Sequence, residues 1–306
     1  MKLKFSHPLH HLYCFLGVLL WSTIEFSSKF LSPDVSPYSV TAWRFLIGGL
    51  VLLPFALSQL KAKRRGLKLS EVLYMVFLGI LIVCISMLLL QLSITYGKAS
   101  ISAILVSSNP MFVVIFAFFI LRERITITQF FGLLAGLAGI GLLILGEGDL
   151  AAGGYPDLSL SIALAMAAAL VFGLYAVLTK QSVVRHGNII TNCVAFLGGA
   201  VLLFAYNALA GKPMLIGMNW QNALVLAHLG ISVTGIAYIF FFEGAKKLGA
   251  GTGSLYFFLK PVAATLLAVT ILGENISPVQ VVAISAIIIG LLVSNLLRRR
   301  NAQRTY

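Results

Sequence analysis

Three charged residues lie within apolar stretches that are long enough to cross a membrane: Glu25, Arg44 and Lys260. A charge at the centre of a bilayer costs about 2.5–3.5 kcal/mol on insertion scales, so such residues usually face a cavity and pair. We therefore predict that Glu25 and Lys260 pair across a central cavity. There they hold a zwitterionic or polar ligand, or they give up their contact with each other to bind it. Glu25 is also placed to carry a proton. The alternative is a buried pair that only fixes the orientation of two helices.

Arg44 lies about one turn into its apolar stretch. Two roles stay open for it. Its guanidinium either contacts a ligand or extends along the helix to the nearby membrane surface, as long basic side chains do.

Aromatic and amide side chains accompany these charges. Trp21 and Glu25 are four residues apart, as are Tyr256 and Lys260, so each pair lies on one face of a helix. Such faces line ligand cavities, although aromatic residues at this spacing more often serve packing. Asn109 precedes a proline, which frees a backbone carbonyl one turn earlier. The predicted ligand-binding residues are Trp21, Glu25, Arg44, Asn109, Tyr175, Tyr256 and Lys260.

The sequence lacks the residue patterns of an enzyme, a metal site or a nucleotide site. Its five histidines are scattered, and Cys14, Cys84 and Cys193 each lie in an apolar stretch without a second ligand at metal spacing. It contains no glycine-rich phosphate loop ending in Lys-Ser or Lys-Thr. We predict no catalytic residue, no bound metal and no cofactor.

Composition excludes a water-soluble domain. Of the 306 residues, 59% are hydrophobic and only 10% are charged, whereas soluble domains have about 25% charged residues. The net charge of +13 does not indicate a nucleic-acid partner, because the basic residues form small groups between apolar stretches. The lipid bilayer is the predicted surrounding.

The apolar stretches predict ten membrane-spanning helices of about 20 residues each. Only helices and closed barrels satisfy their backbone groups in lipid, and stretches this long are helical. The predicted fold class is therefore an all-α integral membrane protein. The spans fall at about 10–30, 38–58, 71–94, 99–121, 126–146, 158–180, 189–210, 221–244, 250–272 and 277–297.

The basic residues predict the orientation of these spans. If the N-terminus is cytoplasmic, seventeen of the 22 basic residues lie in cytoplasmic segments, including the run from Lys61 to Lys68 and the C-terminal tail. The opposite side then holds only Lys29, Lys98 and Lys212. Because cytoplasmic loops are enriched in Lys and Arg, we predict that both termini are cytoplasmic.

The chain repeats itself at an offset of 151 residues without a gap. Pro110 meets Pro261 and Glu123 meets Glu274 at this offset. The repeats are predicted as residues 1–148 and 152–306, each with five spans. An odd number of spans gives the halves opposite orientations, an arrangement typical of secondary transporters that bind substrate where the halves meet. Glu123 and Glu274 end equivalent spans on opposite sides of the membrane, and both are predicted to anchor interhelical turns.

Several segments resemble the EamA-type family of the drug/metabolite transporter superfamily. They are Leu20-Trp21-Ser22, Arg44-Phe45-Leu46, Ala99 to Gly139 and its second copy, Ala250 to Gly290. The resemblance implies ten helices as two inverted five-helix repeats around a central cavity. Two departures are Ser22, where the family usually has glycine, and Lys260, where it often has an acidic residue. Lys260 reverses the local charge, so substrate preference does not transfer.

These observations predict a transporter of small polar metabolites, such as an amino acid or amine, in a bacterial cytoplasmic membrane. Export or exchange is the first expectation, and uptake is the alternative. A membrane sensor or structural protein is the competing class. Whether the chain is a monomer or a homodimer stays open.

The orientation can be tested with single cysteines in a chain whose native cysteines are replaced by alanine. We expect Lys61→Cys to react with a membrane-impermeant maleimide only after the membrane is permeabilised, because its loop is predicted to be cytoplasmic. Lys212→Cys is the matched control and should react in intact cells. Labelling of the Lys61→Cys variant in intact cells would overturn the predicted orientation.

Overall fold

Helices make up the regular structure of the computed structural model. It describes residues 8–63, 66–122, 134, 138, 157–214, 219–248, 256, 259–275, 277–279, 281–282, 284–286 and 289. The helices that it bounds in these residues are α1 (Pro8–Trp21), α2 (Ile24–Ser28), α3 (Pro37–Lys63), α4 (Leu69–Gly79), α5 (Leu88–Tyr96), α6 (Ala99–Val106), α7 (Asn109–Leu121), α8 (Leu158–His186), α9 (Asn188–Leu209), α10 (Trp220–Ala227), α11 (Ala237–Leu248) and α12 (Leu259–Leu272). Two π-helical segments, π1 (Ile80–Met87) and π2 (His228–Ile236), join α4 to α5 and α10 to α11.

Within the described residues, seven helical segments are long and apolar enough to cross a membrane, and α12 is a shorter apolar helix. The seven are Pro8–Ser28, Pro37–Lys63, Leu69–Tyr96, Ala99–Leu121, Leu158–His186, Asn188–Leu209 and Trp220–Ala245. With α12 they correspond to eight of the ten predicted spans. Most of the predicted spans at 126–146 and 277–297 lies outside the described residues, as does Glu123. The predicted all-α membrane fold is confirmed.

Two of the spans are interrupted by polar residues. The first breaks at Ser22-Thr23, where the Ser22 hydroxyl donates to the Val18 carbonyl at 2.8 Å and the Thr23 hydroxyl to the Leu20 carbonyl at 2.7 Å. The fourth breaks at Ser107 and Ser108, whose hydroxyls also donate to carbonyls of the preceding turn. The hydroxyls thus satisfy their own hydrogen-bonding capacity on carbonyls of the same helix, where water is excluded.

The two halves of the described chain share an internal symmetry. An offset of 151 residues carries π1 onto residues 231–238, which overlap π2. The same offset superposes α3 on α9. Since π-helical segments are rare in proteins, their occurrence at matching positions supports the repeat independently of residue identities.

Helices α3 and α9 pack together in opposite directions. The ring of Tyr38, near the start of α3, lies 6.1 Å from that of Tyr206, near the end of α9. At the other end, Lys63 donates to the carbonyl of His186, just before α9 begins. Two equivalent, antiparallel spanning helices are related by a two-fold axis in the membrane plane. The halves are therefore inverted.

Phe45 and Phe196 mark this axis. They are 151 residues apart, both are buried, and their rings meet edge to face with centroids 4.9 Å apart. Two equivalent residues contact each other only close to the axis that relates them. A packed aromatic pair thus lies between α3 and α9 at the axis that relates them.

The first span of each half packs on the third span of the other. On α1, the Cys14 thiol lies 3.7 Å from the Phe241 carbonyl of α11. The equivalent contact joins π1 to α8, where the Ser86 hydroxyl donates to the Ala168 carbonyl at 2.9 Å. Because each half packs its first span against the other half, the first span of the chain lies beside helices of the second half.

We expect Gly79→Ala to destabilise the protein by about 1–3 kcal/mol, the usual cost of overpacking. A methyl group on Gly79 would clash with the backbone carbonyl of Ala195 in α9. Gly66→Ala is the matched control, since nothing lies within 4 Å of the added carbon. Thermal unfolding in detergent should show a lower midpoint for Gly79→Ala alone. Equal midpoints would show that α4 and α9 are not closely packed.

Candidate functional site

Glu25 and Lys260 form the predicted ion pair. Glu25 lies in α2, directly after the break in the first span, and Lys260 is the second residue of α12. The Lys260 Nζ donates to the Glu25 Oε1 at 2.9 Å, and the two side chains are 10% and 1% exposed. The pair joins the first half of the chain to the second at a buried position.

The second carboxylate oxygen of Glu25 is open for another partner. Oε2 is buried and has no hydrogen-bond partner within the part of the chain that the structure describes. An unpaired buried polar atom costs about 1–3 kcal/mol, and its presence in a native structure calls for an explanation such as a ligand, an ion or water. This oxygen can accept a hydrogen bond from a ligand or take up a proton.

Arg44 points inward. The residue is 4% exposed, and its Nε donates to the Thr234 Oγ1 of π2 at 2.9 Å. The interpretation that its side chain extends to the membrane surface is therefore wrong. Helix α3 packs against π2, and Thr234 supplies a polar partner inside the protein. Arg44 also lies close enough to Glu25 to interact with it electrostatically, so it belongs to the same buried group of charges.

Aromatic rings surround this group. The Trp21 indole donates to the Val233 carbonyl at 3.1 Å, and its ring lies 5.0 Å from that of Tyr238. The Tyr238 ring is also 5.0 Å from Phe196 on the symmetry axis. Tyr238 was not among the predicted residues, although its spacing of four residues from Thr234 places both on one helical face.

Tyr256 and Tyr175 make different contacts. The Tyr256 hydroxyl is hydrogen-bonded to the His11 Nδ1 at 2.7 Å, which adds a second link between the first span and the region of α12. The buried Tyr175 donates to the Asn192 Oδ1 at 2.6 Å and thus joins α8 to α9.

Asn109 begins α7 and is half-buried. It occupies the position in the first half that Lys260 occupies in the second. Among the contacts of the described residues, none joins Asn109 to Glu25 or Lys260. The structure therefore groups Glu25, Lys260 and Arg44. The contacts described for Trp21, Tyr175 and Tyr256 are made to other residues, and none is described between Asn109 and this group.

A separate polar cluster joins the halves at one end of the molecule. The carboxylate of Glu274 accepts hydrogen bonds from the backbone N–H groups of Ala99 and Ser100, at 2.8 and 3.1 Å, and thereby caps α6. Lys29 donates to the Gly97 carbonyl beside it at 2.5 Å. Burial lowers the pKa of the Lys29 ammonium, and the charge of Glu274 opposes this shift. Glu274 thus anchors an interhelical turn, as predicted.

Comparison with known proteins identifies the family. Residues 9–145 and again residues 159–296 match the EamA-like transporter family. The chain belongs to this family. An uncharacterized transporter of Clostridium kluyveri is 35% identical over 93% of the chain and 92% of that protein. A "Probable terminal-alkyne amino-acid exporter" of Streptantibioticus cattleyicolor is 27% identical over 69% of the chain and 71% of that protein.

The fold of this EamA-type chain also occurs in a solved crystal structure. The two share 24% sequence identity and a TM-score of 0.66 over 96% of this chain and all of the other. Membership in the EamA-like family makes the chain a multi-pass membrane transporter rather than an enzyme. The matches cover both halves, so the whole described architecture belongs to one transporter.

The contribution of the ion pair can be measured with a double-mutant cycle. We expect Lys260→Met to lower the free energy of unfolding by about 3–5 kcal/mol, because it leaves the buried Glu25 carboxylate without its cation. Adding Glu25→Gln should recover part of this loss, since the carboxylate charge is then absent. Thermal unfolding of the four proteins in detergent measures the coupling. Strictly additive losses would show that the two side chains do not interact.

Proposed function

We propose that this chain is a secondary transporter that moves small polar metabolites, amino acids or amines, by alternating access. The observation that carries the proposal is the buried pair of Glu25 and Lys260, which joins the two inverted halves and leaves one carboxylate oxygen open. A substrate with a hydrogen-bond donor can occupy that oxygen and compete with the bond between the halves.

Such competition links binding to a change of conformation. A ligand shifts an equilibrium only by its differential affinity for the two states. A substrate that replaces the Lys260 ammonium at Glu25 weakens the link between α2 and α12 and so favours the state in which these helices separate. The break at Ser22-Thr23 separates α2 from α1, so α2 is the segment that can move while α1 keeps its own backbone hydrogen bonds.

Export or exchange is the proposed direction, with uptake as the alternative. The relative from Streptantibioticus cattleyicolor is named an amino-acid exporter, which favours export of an amino acid. The sequence has no nucleotide-binding loop, so the gradient of the substrate, a counter-substrate or a proton carried by Glu25 is the proposed driving force.

The proposed location is the bacterial cytoplasmic membrane, with both termini in the cytoplasm. The distribution of basic residues supports this orientation. Lys29 and Glu274 lie close together in the structure, as is expected of two segments that are predicted on the same side of the membrane. The proposal includes the lipid bilayer and a small-molecule substrate as partners, no nucleic acid, and either a monomer or a homodimer.

Counterflow in proteoliposomes tests transport. We expect protein-containing vesicles loaded with an unlabelled amino acid to accumulate the same radiolabelled amino acid, in a screen of the twenty common ones and simple amines. Glu25→Gln and Lys260→Ala should each reduce the initial rate at least tenfold, since they remove either side of the buried pair. Asp34→Asn and Lys61→Ala change exposed charges of the same kinds and should retain the rate.

Two outcomes would contradict the proposal. Substrate binding without accumulation in sealed vesicles would favour a membrane sensor. Transport that is unchanged by both Glu25→Gln and Lys260→Ala would show that the pair is structural and that the substrate binds elsewhere.

A further inference from the structure

We propose that the substrate of this site carries a carboxylate and that Arg44 is the residue that binds it. This inference rests on the proposed transport function and narrows it, since amines without a carboxylate are then excluded as substrates.

The buried group of charges has a net positive charge. It contains two cations, Arg44 and Lys260, and one carboxylate, Glu25, which Lys260 already engages. In a medium of low dielectric constant an excess charge is costly, and it is relieved by an opposite charge. A ligand carboxylate placed beside Arg44 balances that cation, and a zwitterion leaves the net charge of the group unchanged. A lone ammonium would instead raise its net positive charge.

The guanidinium of Arg44 has N–H donors that make no hydrogen bond to the described residues. A guanidinium has five N–H donors in a planar fork that fits a carboxylate. Its hydrogen bonds in the described structure are made to neutral groups only, one to the Thr234 hydroxyl at 2.9 Å and a weak one to the Met87 sulfur at 3.9 Å. Most of the fork is therefore left for a ligand.

Arg44 lies close to the axis that relates the two halves. Its guanidinium carbon lies 5.0 Å from the centre of the Phe45 ring, and Phe45 marks the axis that relates the halves. A ligand held beside this axis is equally reachable from both sides of an inverted repeat. The equivalent of Arg44 in the second half is Ala195, and Lys260 already engages Glu25, so we expect the carboxylate of one ligand to bind at Arg44 in one orientation.

Glu25 and the rings complete the recognition of a zwitterion. The open Oε2 of Glu25 accepts from the ligand's ammonium while Arg44 binds its carboxylate. Trp21 and Tyr238, whose rings are in contact, supply an apolar wall for the rest of the ligand. The two polar ends of an α-amino acid thus meet two groups of opposite charge.

The inference is tested with matched sets of three compounds: an amino acid, the amine that lacks its carboxylate and the acid that lacks its amine. Phenylalanine, phenethylamine and 3-phenylpropionate form one set, and leucine, isoamylamine and 4-methylvalerate form another. Thermal shift of the purified full-length protein should show stabilisation by amino acids and not by the corresponding amines. Equal stabilisation by the amine, or no shift by any compound of a panel built on all apolar and polar amino acids, would overturn the inference.

Variants of Arg44 then test the residue. Arg44→Gln should weaken amino-acid binding at least tenfold and abolish the preference over the amine, whereas Arg44→Lys should retain part of that preference because the charge is kept. Arg185→Gln, which changes a largely exposed arginine, should bind as the parent does. Unchanged selectivity in Arg44→Gln would overturn the assignment, and the selectivity of the parent protein decides the inference even if this variant does not fold.

Counterflow separates the two proposals. Rapid counterflow of amines that persists in Arg44→Gln would overturn the carboxylate requirement and leave transport intact. Selective, Arg44-dependent binding of amino acids without any counterflow would instead support the recognition of a carboxylate and contradict transport.

Discussion

A carboxylate is stable within a membrane protein only beside a cation or a donor, and this requirement brings α2 to α12. Glu25 and Lys260 are 235 residues apart in sequence, yet their side chains meet at 2.9 Å. Because one residue belongs to each half, the contact also sets how the halves approach each other. The break in the first span and the positions of Arg44 and Trp21 are arranged around it.

The charges are placed asymmetrically on a symmetric frame. Phe45 and Phe196, α3 and α9, and the two π-helical segments are all related by the two-fold axis, whereas Glu25, Arg44 and Lys260 have Ala176, Ala195 and Asn109 as their equivalents. Symmetry gives two halves that can exchange conformations. The three charged residues have no symmetry-related counterparts, because only one half contributes each of them. The site between the halves is therefore chemically asymmetric.

The sequence was sufficient to predict the eight spans that the structure describes, the repeat and the ion pair. Hydropathy and residue identities at one offset are read along the chain, and the cost of buried charge left few candidates for the pair. It was insufficient for Arg44 and Tyr238. The direction of Arg44 depends on Thr234, which lies in a π-helical segment, and the wider turn of such a segment has no clear signature in residue type. Tyr238 contacts Trp21 across two halves, a proximity that residue spacing does not encode.

The capping of α6 by Glu274 has a consequence for how that end of the molecule opens. Two backbone N–H groups of α6 depend on a carboxylate from the other half. If the halves part there, these groups and the carboxylate lose their partners at once, and only water can replace them in time. Separation of the halves at this end therefore requires the freed N–H groups and the carboxylate to be hydrated as they part, because an unpaired buried polar group is costly.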